Sequence, residues 1–386
     1  MQKWEEIFLR IAYLDNSATT PVCLQAAEKA MEMMTACYGN PSSLHTLGAA
    51  AERELNAARQ KVARLVGCRP EELIFTSGGT EANNLAVLGG AEAKRRAGRH
   101  IVTTAVEHAS VAASCDELER QGCEITRLVP GPDGLTAEQV VSACRPDTVL
   151  VSVMMVNNET GARFPIERIV PAVRRAAPGA LIHCDAVQAA GKLPLNASRL
   201  GVDMMTVSSH KIHGPKGAGA LFLRRGARIL PRARGGGQEN GLRPGTEAVP
   251  LLAAFGTAAE VLPSPVEQDA LFTALRRRLL DGLAGQEGVV VNSPADGVPY
   301  IVNLSAPGIR SETMMHFLAE RGVYVSSGSA CSKGKKSPVL TALGFSAPRI
   351  DSALRLSFTH TTTPEDIDQF LAAFGEAAVS LVRSSR

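Results

Sequence analysis

Apolar runs of strand length alternate with stretches of helical periodicity as far as Gly245. The strand-like runs occupy 73–76, 100–104, 124–129, 148–156, 180–184, 204–208 and 218–223. Between them, apolar positions recur at helical spacing over 49–66, 81–96, 111–120, 137–144 and 166–176. That alternation predicts an α/β fold with a mostly parallel, doubly wound sheet. After Gly245 the pattern changes. A helix over 248–261 is broken by Pro263-Ser264-Pro265, and a second runs to about Ala284. Shorter strands at 301–304 and 355–358 follow, with a last helix from Pro364. This predicts a large domain over 14–260 and a smaller α+β domain built from 1–13 and 261–386. No internal repeat or low-complexity tract interrupts either.

Composition narrows the classes. A chain of 386 residues can bury a large core and form two or three domains. Its 45% hydrophobic and 20% charged residues are ordinary for a soluble globular protein. A net charge of +3 gives no argument for nucleic acid or an anionic membrane, and the short Arg224-Arg225 and Arg276-Arg277-Arg278 groups read as solvated faces. No apolar stretch approaches the ~20 residues of a membrane span. The start, Met1-Gln2-Lys3-Trp4-Glu5-Glu6, is too polar for a secretory signal, so a cytoplasmic protein is expected. None of the eight cysteines forms a C-x-x-C or a zinc-like group with histidine, so no metal is expected. Cys115 and Cys184 fall where core is expected. Cys331 does not.

The candidate chemistry centres on Ser208-Ser209-His210-Lys211-Ile212-His213-Gly214. A lysine directly after a strand, hemmed in by Ser, His and Gly, is placed to form an imine. Free lysine has a pKa of about 10.4, so such a lysine must be desolvated or set beside other cations. Asp185 ends an apolar strand, where α/β folds present ligand-binding groups. A Schiff-base lysine with an acid for a pyridinium nitrogen is the pattern of pyridoxal phosphate (PLP) sites. Taken alone, Lys211 reads better as a surface lysine in a Gly/Pro turn, with Asp185 as a helix cap.

Other parts converge on the same edge. Thr76-Ser77-Gly78-Gly79-Thr80 joins a strand to a helix whose N-terminus suits an anion. With Ser208 and His210 it could hold one phosphate, although a plain turn capped by Thr80 reads as well in isolation. His108 follows a strand and could stack on a cofactor and move protons. Asn158 closes another strand. Thr80, His108, Asn158 and Asp185 with Gln188 thus all follow strands, which favours one shared site. Cys331 lies in Ser327-Gly328-Ser329-Ala330-Cys331-Ser332-Lys333-Gly334-Lys335-Lys336, which predicts a mobile loop. Its lysines favour the thiolate, below the free-thiol pKa of about 8.5.

Over nearly its whole length the chain resembles the NifS-like (group I) cysteine desulfurases, a branch of the class V aminotransferase family with PLP fold type I. The resemblance rests on Tyr13-Leu14-Asp15-Asn16-Ser17-Ala18-Thr19-Thr20-Pro21, Gly39-Asn40-Pro41-Ser42-Ser43, the 77–84 segment, Glu107-His108, Asn157-Asn158-Glu159, Asp185 with Gln188, Ser209-His210-Lys211, Gly235-Gly236-Gly237-Gln238-Glu239, Arg243-Pro244-Gly245-Thr246, the Cys331 segment and Arg355-Leu356-Ser357. It implies that Lys211 is the Schiff-base lysine, that Asp185 pairs with the pyridinium nitrogen and that Gln188 bonds the phenolic oxygen. It implies that His108 stacks on the ring and acts as acid and base. Gly79, Thr80, Ser208 and His210 would hold the phosphate, with Thr246 reaching in from the other copy of a homodimer. Asn158 and Arg355 would bind the substrate carboxylate. Cys331 would take sulfur from L-cysteine as a persulfide, leave L-alanine, and pass the sulfur to an acceptor such as an iron–sulfur scaffold or a thiolation protein.

The chain departs from the pattern in a slightly shorter stretch between Cys331 and Val339, an end soon after the last helix, and Phe358-Thr359-His360 where a glycine turn is usual. The first two speak against the usual scaffold as partner. Rival readings are a selenocysteine lyase, a class V aminotransferase that leaves Cys331 unused, and a catalytically silent sulfur-assembly scaffold.

Overall fold

The strand-length runs collect into one sheet. Its strands are β1 (Leu73–Thr76), β2 (His100–Thr104), β3 (Glu124–Leu128), β4 (Thr148–Ser152), β5 (Leu181–Asp185), β6 (Met204–Ser208) and β7 (Gly219–Leu223), in the order β1-β7-β6-β5-β4-β2-β3. Only β7 runs antiparallel, to both β1 and β6. The other pairs are parallel, so their carboxyl ends share one edge. Every residue of β4, β5 and β6 is buried, as in a sheet covered on both faces. The edge strand β3 is partly exposed and carries Glu124 and Arg127, polar groups that discourage further pairing. The computed structural model describes residues 10–131, 133–327 and 336–381.

The chain divides into two units. The larger comprises Thr20–Val156 and Phe164–Pro265, and holds this sheet. Its helices are α1 (Leu24–Thr35), α2 (Thr46–Val66), α3 (Gly79–Lys94), α4 (Ala109–Arg120), α5 (Ala137–Ala143), α6 (Ile166–Ala176), α7 (Ala197–Leu200) and α8 (Val249–Val261). Small residues let α3 lie deep in the unit: a Cβ on Gly89 would come within 2.4 Å of the Leu230 carbonyl oxygen. Around it Leu85, Ile101, Val111, Cys115, Leu150, Leu181, Met204 and Leu221 form the core. Each large apolar side chain removed from water there contributes about 1.5–3 kcal/mol. Cys115 and Cys184 are buried, as their positions predicted.

The structure corrects several boundaries. β4 ends at Ser152, not at Val156. Beyond it the chain keeps single bonds to β5, from Val153 N–H to His183 O and Met155 N–H to Asp185 O, then returns so that Phe164 N–H reaches Met155 O. Helices α3 and α4 start two residues early because Gly78, rather than Thr80, and His108 stand at their N-caps. Helix α1 was not legible. It has no side-chain cap and no acidic first turn, its core-facing stripe of Cys23, Ala26, Ala30, Met33 and Cys37 is mostly small side chains, and the larger Leu24, Met31 and Met34 are exposed, which blurs the apolar period.

The smaller unit takes the N-terminal segment up to Thr19, Asn157–Arg163 and the chain from Val266. An antiparallel sheet pairs Ile301–Ser305 with Ala353–Ser357 and Val290–Val291, and Ala12–Tyr13 lies parallel to Val323–Tyr324. Helix Pro364–Ser380 opens with a Thr363/Asp366 capping box and buries Ile367, Phe370, Phe374 and Ala377 at helical spacing. No single helix among the described residues is long and apolar enough to cross a membrane.

Candidate active site

Lys211 ends the single 3-10 turn Ser209–Lys211 that leaves β6. Ser209 N–H bonds Ala218 O at 3.1 Å, and Ser209 O accepts from both Ile212 N–H (3.0 Å) and Gly214 N–H (3.1 Å). His213 then adopts φ +63°, a left-handed conformation that costs a β-carbon-bearing residue about 1–3 kcal/mol. Thr20 offsets that cost. Its Oγ1 accepts from His213 N–H at 2.8 Å and donates to His210 O at 3.0 Å, clamping the segment on both sides of Lys211. His210 is pushed down to about 4, first by burial and then by the charges of Lys211, Lys216, Lys192 and His108. It is a neutral imidazole at pH 7.

Asp185 is the last residue of β5 and stands opposite Thr206 of the adjacent β6, so the acid and Lys211 leave neighbouring strands at one edge. Its Oδ1 accepts from Val187 N–H at 2.9 Å and its Oδ2 from Asn83 Nδ2 at 2.7 Å. The second proton of Asn83 Nδ2 goes to Ser110 Oγ at 2.9 Å. Ser110 in turn engages His108 Nδ1 through its hydroxyl (2.8 Å) and its N–H (3.2 Å). A buried path therefore runs Asp185–Asn83–Ser110–His108. With Nδ1 accepting, the hydrogen-bond network assigns the proton of the neutral ring to Nε2. Burial holds His108 below the usual histidine range, Asp185 opposes this and Lys211 adds to it.

The phosphate expectation meets a built cradle. Gly78 has φ +153° and packs over Gly219, where a Cβ would stand 2.6 Å from Gly78 Cα. This close approach seats the first turn of α3 beside β6: a Cβ on Gly79 would lie 3.6 Å from Ser208 Cβ and 3.0 Å from Val187 Cγ2. Ser208 Oγ is buried without a hydrogen-bond partner among the described residues. Leaving a buried hydroxyl so costs about 1–3 kcal/mol, which an anionic oxygen would recover. Helix N–H groups, a hydroxyl, the neutral His210 and nearby lysines suit a phosphate, and a fixed carboxylate suits a pyridinium. The residues fit PLP.

In the smaller unit, Arg355 is buried on the strand Ala353–Ser357. Its Nη1 donates to Asn158 O at 2.9 Å and its Nη2 to Asp15 Oδ1 at 2.8 Å. Asn158 thus meets Arg355 through its main chain, while its Oδ1 is buried without a partner among the described residues. Gln188 is buried after Asp185 in the larger unit. Thr80 and Thr246 are exposed there, outside the buried network. Cys331 lies outside the described residues.

Pattern reading missed three contributors. Asn83 and Ser110 carry the path from Asp185 to His108. A buried amide four residues after Gly79, and a serine two after His108, were the available signals. Lys192, buried, donates from Nζ to Lys211 O at 3.2 Å. Its signal was the spacing of Asp185, Gln188 and Lys192, three and then four residues apart.

Comparison with known proteins agrees with this geometry. The family model for aminotransferase class-V matches residues 12–370. A NifS/IcsS protein homolog of Lactobacillus delbrueckii subsp. bulgaricus is 43% identical over 373 residues, covering 94% of this chain and 96% of that protein. The cysteine desulfurase IscS of Serratia proteamaculans is 43% identical over 366 residues, 92% of this chain and 90% of its own. A solved NifS-like protein superposes with a TM-score of 0.90 at 34% identity, over 96% of this chain and 100% of that one. Sheet order, site geometry and these likenesses agree, and the chain belongs to the class-V aminotransferase family, in its NifS/IscS branch.

Proposed function

We propose that this chain, an enzyme that removes sulfur from cysteine, works with pyridoxal phosphate as a cytoplasmic homodimer. It converts L-cysteine to L-alanine and passes the sulfur, as a persulfide on Cys331, to an acceptor protein. The observation that carries this reading is the buried Asp185–Asn83–Ser110–His108 path beside the clamped Lys211 turn. When bound, the cofactor supplies an electron sink that makes the substrate Cα–H acidic.

The chain's own groups do the rest. Asp185, fixed by Asn83 and Val187, favours a protonated ring nitrogen by the attraction of opposite charges. Gln188 holds the phenolic oxygen. Gly79, Thr80, Ser208 and His210 hold the phosphate together with Thr246 of the partner subunit. His108 would hold the cofactor ring and exchange its proton at Nε2, since Nδ1 is committed to Ser110. Asn158 and Arg355 bind the substrate carboxylate, and Lys211 Nζ moves the Cα proton. The Cys331 thiolate attacks the substrate sulfur: the S–S bond forms and the Cβ–S bond breaks. Its electron pair stays on Cβ, where a proton completes the methyl group of alanine. An acceptor thiol then takes the terminal sulfur and releases the Cys331 thiolate.

Borohydride reduction followed by peptide mapping should find the pyridoxyl group on Lys211. Mass spectrometry after brief exposure to cysteine should find one added sulfur on Cys331. Cys331→Ala should stay yellow and release no alanine. A pyridoxyl label on Lys216, or full turnover by Cys331→Ala, sinks the scheme.

A further inference from the structure

Lys192 is a buried lysine that this scheme leaves without a task. It closes the turn that begins at Asp185, through Ala189 N–H to Ala186 O (2.9 Å) and Lys192 N–H to Ala189 O (3.0 Å). Gly191 holds the exit of that turn at φ +72°, where a Cβ would come within 2.2 Å of Leu262 Cδ2 and 3.1 Å of Ile212 Cγ2. The turn is therefore locked against the residue that follows Lys211. From it the Lys192 ammonium donates to the main-chain oxygen of Lys211 at 3.2 Å.

Burial pushes Lys192 down to about 8, so it still carries its proton at neutral pH. The groups that share its surroundings come from several elements. They connect through His210 of the β6 exit: Lys192 acts on it, as do Lys211 and Lys216 of the same exit and His108 at the start of α4, which Asp185 at the end of β5 opposes. His210 feels Lys211, Lys216, Lys192 and His108, while His108 feels Asp185 and Lys211. The charges that act on His210 are all cationic, and the Asp185 carboxylate acts on His108. Like charges at such range disfavour each other's protonated forms, which is how a reactive lysine is kept unprotonated.

We infer that Lys192 is a positioning residue for Lys211: it pins the Lys211 carbonyl and sets a second positive charge beside the amine that carries the cofactor. The inference rests on Lys211 being that amine. The Gly191 lock and the carbonyl contact give this long cationic side chain a reason to be buried in the turn.

The test is a pH titration of the visible absorption band of the cofactor-loaded enzyme without substrate. Wild type is compared with Lys192→Met, Lys192→Gln and Lys192→Arg. Removing the neighbouring charge should raise the pH midpoint of the band in the Met and Gln variants, by roughly one unit. The Arg variant should return toward wild type. Borohydride mapping runs in parallel. A label on Lys211 with an unchanged midpoint in Lys192→Gln overturns the role of Lys192 and leaves the function standing. A label on another lysine overturns both. If Lys192→Met fails to hold cofactor, Gln and Arg decide: equal midpoints in those two also overturn the inference.

Discussion

Glu107 directly precedes His108 and is out of water. Its Oε1 accepts from Thr104 Oγ1 at 2.8 Å and Met154 N–H at 3.0 Å, while Oε2 has no partner among the described residues. Burial pushes the carboxyl up to about 8, the Met154 and Thr104 bonds oppose this, and the Asp185 charge adds to it. The folded protein thus keeps a proton that the unfolded chain, at its ordinary 4.5, has released. The stability this contributes is fully present below pH 4.5 and is lost as pH rises through about 8, at about 1.4 kcal/mol per unit. His183 acts in the opposite sense. Held between Ser152 and Thr206 and pushed down to about 4 by burial, it costs stability as pH falls from 6.5 towards 4. The difference between wild type and Glu107→Gln isolates the glutamate. Urea midpoints at pH 5, 6.5 and 8 should show the variant gaining on wild type as pH rises; parallel profiles would mean that Glu107 is already ionised. The Glu-His pair was visible in the sequence. That the acid is sealed in was not, because burial depends on Met154 and the strands around it.

At the scale of elements, the Lys211 turn shows how a local motif is completed from afar. Ser209-His210-Lys211 was legible as a candidate reactive segment, yet the residue that clamps it, Thr20, lies far off in sequence and just before α1. Thr20→Val keeps the shape and removes both bonds. It should cost about 1–3 kcal/mol, since His210 O and His213 N–H lose a partner. It should also weaken cofactor retention, while Thr20→Ser should restore most of both. Thermal melts with and without cofactor check this. Equal losses in Val and Ser variants would assign Thr20 to packing instead. The strand ends were legible for a related reason: Thr76, Thr104, Asp185 and Ser208 terminate apolar runs. The helix starts were misplaced because Gly78, which has no side chain to cap with, stands before Thr80 at the start of α3, and histidine, the cap of α4, is not among the preferred N-cap residues.

For the whole molecule, the proposed homodimer gives a role to apolar side chains that the larger unit leaves in water. Leu24, Met31 and Met34 on α1, Tyr38 and Leu44 after it, and Leu47 on α2 are all exposed. Concentrated exposure of large apolar groups marks an interaction surface, and symmetric pairs are the commonest assemblies. Wild type should sediment as a dimer and the Met31→Glu/Met34→Glu double variant as a monomer with little turnover. Mixing inactive Thr246→Ala and Lys211→Ala chains should restore part of the activity through hybrid dimers. A fully active wild-type monomer would end the proposal.

The sequence alone determined what depends on local periodicity and residue chemistry. Alternating runs specify the α/β sheet, because strand and helix repeats differ in period. Lysine, acid and glycine at strand ends raised the expectation of a PLP-type site, because the sheet delivers strand ends to one edge. Tertiary structure decided which polar groups are joined and which are sealed from water. Asn83 and Ser110 became the link from Asp185 to His108 only when α3 and α4 met beside β5. Lys192 became a neighbour of Lys211 only when the turn after β5 folded against the exit of β6. Hydrogen bonds and desolvation are set by distances across the chain, and a one-dimensional pattern does not carry them.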